Sequence, residues 1–419
     1  MPIFSHSAEH NATQKEIWDW YNSPGAFRRI MPEWEGIQPI NAGALKDGEE
    51  TIFKVGIGPV KLKWIARHHS VIEGKSFADD MIKGPFGKWS HQHTFEATSD
   101  DITTVRDKVD YKLPFHIFTG WSKGFTVLPR MKQMFHYRST RVSKDLERIQ
   151  ATSSKSRQKV LVSGSTGMIG LQLCAFLEAA GHDVYRLMRP TSKLPPDVNP
   201  EKIVRWNDLT GDIISGSFEG FDCVIHLAGA GIGDKRWSKK RKQLIRDSRV
   251  IPTQNLSKIL SGLSQPPKKF LCASAVGFYG NRGTEVLDEK STKGDDYLAS
   301  ICSEWEDSTV LASDSGINVI HMRTGIVVSP FLANKFGKKN GALVLFAVSL
   351  TVENGIIVLR LLGLLPENGS PIVLAGVLVF HFIGVATSVI SFTTLNSMVW
   401  DTVEEVEIKT GRRMEGTLL

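Results

Sequence analysis

Cysteine is scarce in this sequence. Four cysteines occur in 419 residues, none of them in a Cys-x-x-Cys pair, and neighbouring cysteines are about 30 to 50 residues apart. This spacing excludes a disulfide framework and a cysteine-ligated zinc site. The cysteines are therefore expected to be small buried residues of a reduced compartment; they are Cys174, Cys223, Cys272 and Cys302.

The sequence also lacks the features of secretion and of nucleic-acid binding. Its start, MPIFSHSAEHNATQKEIW, has no basic stretch followed by an apolar core, so no secretion signal is expected. The net charge of +7 favours anionic partners such as a phosphorylated cofactor. Apart from the run DKRWSKKRKQLIRDSR at 234–249, the basic residues are dispersed, so no nucleic-acid partner is predicted.

The length predicts two or three domains, because a chain of 419 residues is too long for one hydrophobic core. Residues 1–149 contain alternating runs such as TIFKVGIGPVKLKWIARHHSVI and ITTVRDKVDYKL, with helical stretches at both ends. This pattern predicts an α+β fold in which an antiparallel sheet wraps around a long C-terminal helix. The polar stretch QATSSKSRQ, residues 150–158, is predicted to be a linker.

Residues 159–330, the middle domain, have a different pattern. Short apolar runs alternate with amphipathic helices; the runs are KVLVSG, DVYRLM, DCVIHLAG, KFLCASA and INVIHMRTGIVV. Continuous apolar strands between helices indicate a parallel sheet covered on both faces. The middle domain is therefore predicted to be a doubly wound α/β domain.

A glycine-rich turn follows the first apolar run, in KVLVSGSTGMIG. Glycine lets the chain turn sharply from strand to helix, and a pyrophosphate can then approach the backbone and the helix N-terminus. The strand before the turn and the helix after it predict a dinucleotide site, and the alternative is a glycine-rich turn without a ligand. The predicted binding residues, called the cradle below, are Gly164, Ser165, Thr166, Gly167, Met168, Ile169 and Gly170.

The choice between NAD and NADP depends on the end of the second strand, which reads DVYRLMRP. It has no carboxylate to bind a free ribose hydroxyl, but it has Arg189, with Arg186 nearby. A guanidinium can clamp a 2′-phosphate with two hydrogen bonds. NADP is therefore predicted in preference to NAD, with an exposed arginine that binds no ligand as the alternative.

Several ordered motifs over residues 159–329 resemble the extended short-chain dehydrogenase/reductase superfamily, and more narrowly its epimerase-like subgroup, the NAD-dependent epimerase/dehydratase family. The motifs are VSGSTGMIG, VIHLAGAGIGDKRWSKKRKQLIRDSRVIPTQNL, SAVGFYGNRG, DDYLASICSEWE and MRTGIVVS. The resemblance implies a Rossmann fold in which Ala228, Gly229 and Ala230 pass beside the cofactor and Ser274 lies by the nicotinamide. It further implies an NADP-dependent oxidoreductase or a nucleoside-diphosphate-sugar epimerase-like enzyme, acting on a carbonyl or sugar-nucleotide substrate.

The tyrosine and lysine pair of that superfamily is incomplete here. In YLASICSE the residue four positions after Tyr297 is Ile301, so no lysine is present to lower the pKa of the phenol. Ser274, Tyr279 and Tyr297 are the predicted catalytic residues, and a packing role is the alternative for each tyrosine. Glu304 is a further polar group, with a surface role as its alternative.

The N-terminal zone resembles the START-like polyketide cyclase (SRPBCC) superfamily. The stretches that carry the resemblance are SPGAFRRIMPEWEGI, GPFGKWSHQHTFEA and TTVRDKVDYKLPF. It implies a helix-grip fold around an apolar cavity that binds a hydrophobic small molecule. His91 and His93 alternate with Trp89 and Phe95 on a predicted strand, but no third ligand is evident, so no metal site is predicted.

Two apolar segments of the C-terminal zone, residues 331–419, have about the length of a bilayer span. They lie at 341–365 and 371–395 and are predicted to be transmembrane helices, with buried core helices as the alternative. Together with DTVEEVEIKTGRRMEG at 401–416, they resemble part of a glycoside–cation symporter of the major facilitator superfamily.

Two spans cannot form an alternating-access pathway, so the C-terminal zone is expected to be a transporter fragment in a chimera without a substrate lobe. The protein is then expected at a membrane with its N-terminal domains in the cytoplasm, or wholly in the cytoplasm if the C-terminal segment is an artefact. The alternatives to an enzyme are a membrane-associated, non-catalytic binder of a dinucleotide or a hydrophobic ligand, and a symporter fragment.

Overall fold

The structure is a computed structural model. It describes residues 2–57, 60–113, 123–152, 156–232, 237–283, 285–325, 338–361, 373, 376–385 and 387–391. The chain divides into two units, Met1–Gly325 and Ile326–Leu419.

The N-terminal domain is a seven-stranded antiparallel sheet packed against a long helix, as the sequence predicts. The strands are β1 Ile3–His10, β2 Gln38–Asn41, β3 Glu50–Ile57, β4 Val60–Ile72, β5 Ser76–Lys83, β6 Lys88–Ser99 and β7 Ile102–Lys112, and the helices are α1 Gln14–Tyr21, α2 Ala26–Ile30 and α3 Lys123–Gln150. Their order across the sheet is β1-β7-β6-β5-β4-β3-β2. Helix α3 buries Met131, Phe135, Val142 and Leu146, a spacing that places one apolar stripe against the sheet.

The middle domain has a seven-stranded sheet of its own. Its strands are β8 Lys159–Ser163, β9 Asp183–Met188, β10 Ile203–Trp206, β11 Ile213–Ser215, β12 Cys223–His226, β13 Lys269–Ala275 and β14 Asn318–Thr324, and its helices are α4 Met168–Ala179, α5 Lys239–Ser261, α6 Tyr297–Asp307 and α7 Val310–Asp314. The order is β11-β10-β9-β8-β12-β13-β14, with every pair parallel except β10 and β11.

This topology confirms the predicted doubly wound α/β fold. From β8 the chain proceeds outward through β9 to β10, and it returns to the other side of β8 with β12, so the strand order reverses between β8 and β12. In such sheets ligands bind outside the carboxyl ends of the strands at this reversal. The cradle follows β8 and therefore lies at the reversal.

The N-terminal and middle domains pack directly against each other through α2 and α4. A Cβ added to Gly25 would lie 1.9 Å from the carbonyl oxygen of Ala175, so only glycine allows this approach of the two helices. Arg29 donates to Gln172 of α4 at 3.0 Å and lies over the ring of Phe176. Helix α4, which follows the cradle, thus also contacts the N-terminal domain.

The C-terminal unit contains helix α8, Lys338–Leu361, and helical residues at 376–385 and 387–391. None of the helices that the structure describes is both long enough and apolar enough to cross a bilayer. The predicted span at 341–365 falls mainly on α8, whose apolar run is interrupted by Glu353 and Arg360, and a charge at the centre of a span costs about 2.5–3.5 kcal/mol. The predicted span at 371–395 is described only in part. The predicted membrane segment is therefore not supported.

Candidate functional site

The cradle makes its turn through a glycine that lies close to the neighbouring strand. Gly164 has a φ of +68°, a conformation that favours glycine. A Cβ added there would lie 2.7 Å from the carbonyl carbon of Leu227 and 2.9 Å from the nitrogen of Ala228. The turn after β8 thus packs against the chain that follows β12, as a dinucleotide site at this reversal requires.

The other two glycines shape the start of α4. A Cβ on Gly170 would lie 2.2 Å from the carbonyl oxygen of Gly164, so glycine at position 170 lets the first turn of α4 pack directly against the backbone of the cradle. Gly167 precedes the helix and has no side chain to cap its first N–H groups, which an anion can then satisfy. A Cβ on Gly167 would meet only Gly164 O, at 3.3 Å. The space above Gly167 is therefore open.

The remaining cradle residues fit a bound dinucleotide. Thr166, Met168 and Ile169 are exposed, so their side chains do not fill the turn. Ser165 is buried, and its Oγ has no hydrogen-bond partner among the residues that the structure describes. A buried hydroxyl without a partner is costly and indicates a group that a ligand can satisfy.

The loop after β12 is fixed by helix α5. The N–H of Ala230 donates to Ser248 Oγ at 3.1 Å, and Arg249 Nη2 donates to the carbonyl of Ala230 at 3.0 Å. A Cβ on Gly229 would lie 3.3 Å from Arg249 Cζ. Ala228 thus lies beside Gly164 of the cradle, and Gly229 and Ala230, which follow it, are held against α5.

The two arginines at the end of β9 have different surroundings. Arg186 is buried and donates to Glu178 of α4 at 3.1 Å. Arg189 has a side chain that is 65% exposed, and its Nε lies 4.0 Å from Asp208 Oδ2. Arg205 Nη1 donates to the carbonyls of Arg189 and Pro190, at 3.0 and 3.1 Å, and so fixes the backbone that follows β9. Arg189 is thus available to a ligand, whereas Arg186 is a buried ion-pair partner.

Ser274 lies at the carboxyl end of β13, but its hydroxyl is already bonded. Ser274 Oγ donates to Glu306 Oε1 at 2.6 Å, and the carboxylate of Glu306 forms two further bonds with Arg323, at 2.9 and 2.8 Å. Burial opposes ionisation of Glu306, but the hydrogen bonds from Arg323 and Ser274 lower its pKa below the ordinary value. In this geometry the Ser274 hydroxyl donates to a carboxylate rather than to a substrate.

Tyr279 belongs to the same network. Its hydroxyl accepts a hydrogen bond from Arg323 Nη1 at 2.9 Å, and its side chain is buried. The guanidinium of Arg323 also lies 3.5 Å from the ring centroid of Phe278. Glu306 and Arg323 were missed in the sequence; the signal that marks them is a charged residue within each of the motifs SEWE and MRTG.

Tyr297 begins helix α6 and is partly exposed. Ile301, where a lysine would lower the phenol pKa, is buried, and the ammonium of Lys242 from α5 instead lies 4.7 Å from the Tyr297 ring centroid. Desolvation raises the pKa of Tyr297, so its phenol is not activated as a base. Glu304 pairs on the surface with Arg246 at 2.6 Å, which agrees with its surface interpretation.

A groove and a small cavity are found among the described residues of the unit Met1–Gly325. A groove of about 260 Å³ runs between the segment 28–39 and the start of α4, where Met168, Leu171 and Gln172 line it. Beneath the N-terminal sheet, a cavity of about 10 Å³ is lined by Tyr21, His93, Asp107 and Arg138 among others, with room for about one water molecule. A hydrophobic ligand needs a larger space than this cavity, and its binding stays a prediction.

Comparisons with known proteins agree with the middle-domain assignment. Residues 160–363 match the sequence model of the NAD dependent epimerase/dehydratase family, a match that continues past residue 330. An epimerase family protein of Mycobacterium leprae is 38% identical over 198 residues, which cover 47% of this chain and 61% of that protein. The chain thus spans about three fifths of the length of this curated relative.

Solved structures extend the likeness to both domains. A nucleoside-diphosphate sugar epimerase of Corynebacterium glutamicum is 33% identical with a TM-score of 0.63, over 77% of this chain and 66% of that one. Because residues 159–419 make up only 261 of 419 residues, this match includes part of the N-terminal domain. The human epimerase family protein SDR39U1, solved with NADPH, is 30% identical with a TM-score of 0.34, over 39% of this chain and 52% of that one.

These findings confirm the Rossmann-like fold and the resemblance to the epimerase/dehydratase family. A START superfamily protein of Mycobacterium smegmatis is similar over 35% of this chain and 98% of its own, at 16% identity and a TM-score of 0.27; so distant a likeness carries no argument about function. The symporter resemblance of residues 331–419 is not supported, and the chimera stays a prediction.

Proposed function

From the likeness of residues 160–363 to the NAD dependent epimerase/dehydratase family, we propose that this protein is an NADP-dependent oxidoreductase or epimerase-like enzyme. The observation that carries the proposal is the cradle, where Gly164 and Gly170 are held against backbone atoms and the space above Gly167 is open. Such a turn at a helix N-terminus binds a pyrophosphate through backbone N–H groups.

The preference for NADP rests on Arg189. Arg189 follows β9, the strand beside β8 and its cradle. Its side chain is 65% exposed, and its ion pair with Asp208 is long, at 4.0 Å from Nε to Oδ2. A guanidinium pairs with a 2′-phosphate through two hydrogen bonds, each worth about 1.5–3 kcal/mol when a charge takes part. The human relative solved with NADPH supports this preference.

In the reaction, bound NADP would supply a hydride acceptor or donor. The chain contributes the cradle, which would bind and orient the dinucleotide. It also contributes the loop Ala228–Ala230, which hydrogen bonds with Ser248 and Arg249 hold in place. Ser274, Tyr279 and Tyr297 are the proposed groups for substrate hydroxyl or carbonyl contacts. Ser274 can donate to a substrate only if Glu306 releases its proton, because its hydroxyl now donates to that carboxylate. The Tyr279 hydroxyl accepts from Arg323 and so keeps its own proton to donate.

The first test is titration of the full chain with NADPH and NADH, followed by fluorescence. Gly167→Ala is the sharpest variant, because its backbone φ of −76° suits alanine and its added methyl group meets only the carbonyl oxygen of Gly164, a tight contact at 3.3 Å that requires a small shift of the turn. We expect a normal fold and a loss of NADPH affinity of about tenfold or more, since the methyl group blocks the approach of the pyrophosphate. Gly56→Ala, where a Cβ meets open space, is the control.

The second variant separates NADP from NAD. Arg189→Ser is expected to weaken NADPH binding by about 100-fold or more and to leave NADH binding unchanged. Lys193→Ser removes a nearby exposed positive charge and is the matched control. The proposal fails if NADPH does not saturate the wild-type chain at submillimolar concentrations. The NADP preference fails if Arg189→Ser and Lys193→Ser change the affinity for NADPH equally.

A second candidate function is dinucleotide binding without catalysis. It is favoured by the Ser274 hydroxyl, which is bonded to Glu306, and by Ile301 in place of a lysine beside Tyr297. Consumption of NADPH with a panel of carbonyl compounds and nucleoside-diphosphate sugars distinguishes the two. Turnover that Tyr297→Phe or Ser274→Ala reduces would support the enzyme, and saturable binding without turnover would support the binder.

A further inference from the structure

Two histidines and two aspartates lie side by side on the inner face of the N-terminal sheet. His91 and His93 are on β6, Asp79 lies directly across from His91 on β5, and Asp107 lies directly across from His93 on β7. Strand partners and alternate residues point to the same face, so the four side chains share one space. Their side chains are between 5% and 15% exposed. Such a group of buried ionisable side chains requires compensating partners.

Asp107 occupies one nitrogen of each imidazole ring. Its Oδ1 accepts a hydrogen bond from His91 Nε2 at 3.0 Å, and it lies 2.8 Å from His93 Nδ1 without hydrogen-bond alignment. An ionised carboxylate favours a proton on the nitrogen that faces it, which leaves the opposite nitrogen of each ring as a lone pair.

The opposite nitrogens face Asp79. Its Oδ2 lies 3.6 Å from His91 Nδ1 and 3.9 Å from His93 Nε2, too far for hydrogen bonds, and one ligand atom from each residue lies within 4.8 Å of the other two. Bonds from zinc to nitrogen or oxygen measure about 2.0–2.2 Å, so two ligands of a tetrahedral ion are about 3.4 Å apart. The spacing of the three atoms is therefore close to that of three ligands around one ion.

We propose that Asp79, His91 and His93 bind a divalent transition-metal ion of the Zn²⁺ class, and that Asp107 is a positioning residue for both imidazoles. Two imidazoles and one carboxylate form the ligand set of open zinc sites, in which water or a small ligand takes the fourth position. A carboxylate behind a ligating histidine is the usual arrangement that fixes its tautomer. The third ligand was missed in the sequence because Asp79 lies on another strand, 12 residues before His91.

The test uses the full chain, stripped of metal with a chelator and titrated calorimetrically with Zn²⁺. We expect one ion per chain. Asp79→Asn and His91→Asn should each weaken binding by more than the roughly 10- to 100-fold loss expected for Asp107→Asn, because ligands contribute more than the residues that orient them. The matched control is His69→Asn, a histidine of the neighbouring strand β4 whose side chain is 44% exposed and lies 3.4 Å from Asp80.

Two further measurements keep the test decisive. Zn²⁺ should raise the melting temperature of the wild-type chain and of His69→Asn, but not that of Asp79→Asn. If the ligand variants fail to fold, the absorption spectrum of Co²⁺ bound to the wild-type chain tests the site instead. Intense bands of tetrahedral Co²⁺ would support the proposal, and weak bands of octahedral Co²⁺ would overturn it. Absent binding at submillimolar Zn²⁺, or equal affinity in wild type and a folded Asp79→Asn, would also overturn the proposal.

Discussion

Replacing Arg29 with methionine tests how the N-terminal domain is held together where it meets the middle domain. The Arg29 guanidinium forms a bidentate ion pair with Asp145 of α3, in which Nε donates at 2.7 Å and Nη2 donates to the other carboxylate oxygen. It also donates to Gln172 of α4. Arg29 is 7% exposed and Asp145 is 1% exposed. Arg29→Met keeps the length of the side chain but leaves the carboxylate of Asp145 buried without its cation.

The magnitude follows from that uncompensated charge. Removing one partner of a buried ion pair costs about 3–5 kcal/mol, whereas replacing both partners with apolar residues is often nearly neutral. Arg29→Met should therefore lower the free energy of unfolding by about 3–5 kcal/mol. The double variant Arg29→Met with Asp145→Leu should recover most of this loss, because no buried charge then remains.

The assay is equilibrium urea unfolding of the full chain, followed by tryptophan fluorescence. Lys15→Met, which breaks the exposed pair with Asp19, is the control and should leave the midpoint unchanged. The reasoning is refuted if Arg29→Met and Lys15→Met have the same midpoint, or if the double variant is less stable than Arg29→Met.

Two more predictions concern buried titratable groups. Burial lowers the pKa of His226 to about 4, so between pH 6.5 and 4 only the unfolded chain binds a proton at this imidazole. The free energy of unfolding should therefore fall by about 3 kcal/mol as the pH drops from 6.5 to 4. His226→Asn should remove this part of the decrease. An unchanged pH dependence in His226→Asn would contradict the assignment. Burial also raises the pKa of Cys272 to about 12 and the pKa values of Cys174 and Cys223 to about 11. Iodoacetamide near neutral pH should therefore label these three thiols only after unfolding, as mass spectrometry can check; rapid labelling of the folded chain would show that they are not buried.

The cradle was predictable because its determinants are local. Gly164, Gly167 and Gly170 lie within seven residues of chain, and backbone atoms of that turn or of the adjoining strand leave no room for a Cβ at Gly164 and Gly170. The apolar runs of the middle domain likewise predict strands buried on both faces, and β8 and β12 are buried along almost their whole length. Such features depend on neighbours in sequence, or on a sheet whose order follows from the fold class.

The contacts that the sequence does not predict join distant elements. Ser274 bonds to Glu306, which is 32 residues later on α6, and the spacing of residues does not encode which helix face meets which strand. For the same reason the cation at Tyr297 comes from Lys242 of another helix. In the C-terminal unit, apolar composition alone does not distinguish a bilayer span from a helix packed on protein; Ser349 is buried there and donates to the carbonyl of Gly384.

The contact between α2 and α4 has a practical consequence for recombinant work. Ala179 of α4 packs within the same apolar cluster as Trp18 and Trp20, and Ala175 lies beneath Gly25. Producing the middle domain without residues 1–158 would leave this flank of the helix in water. We therefore expect such a shortened chain to be poorly soluble unless polar substitutions are introduced at Ala175 and Ala179.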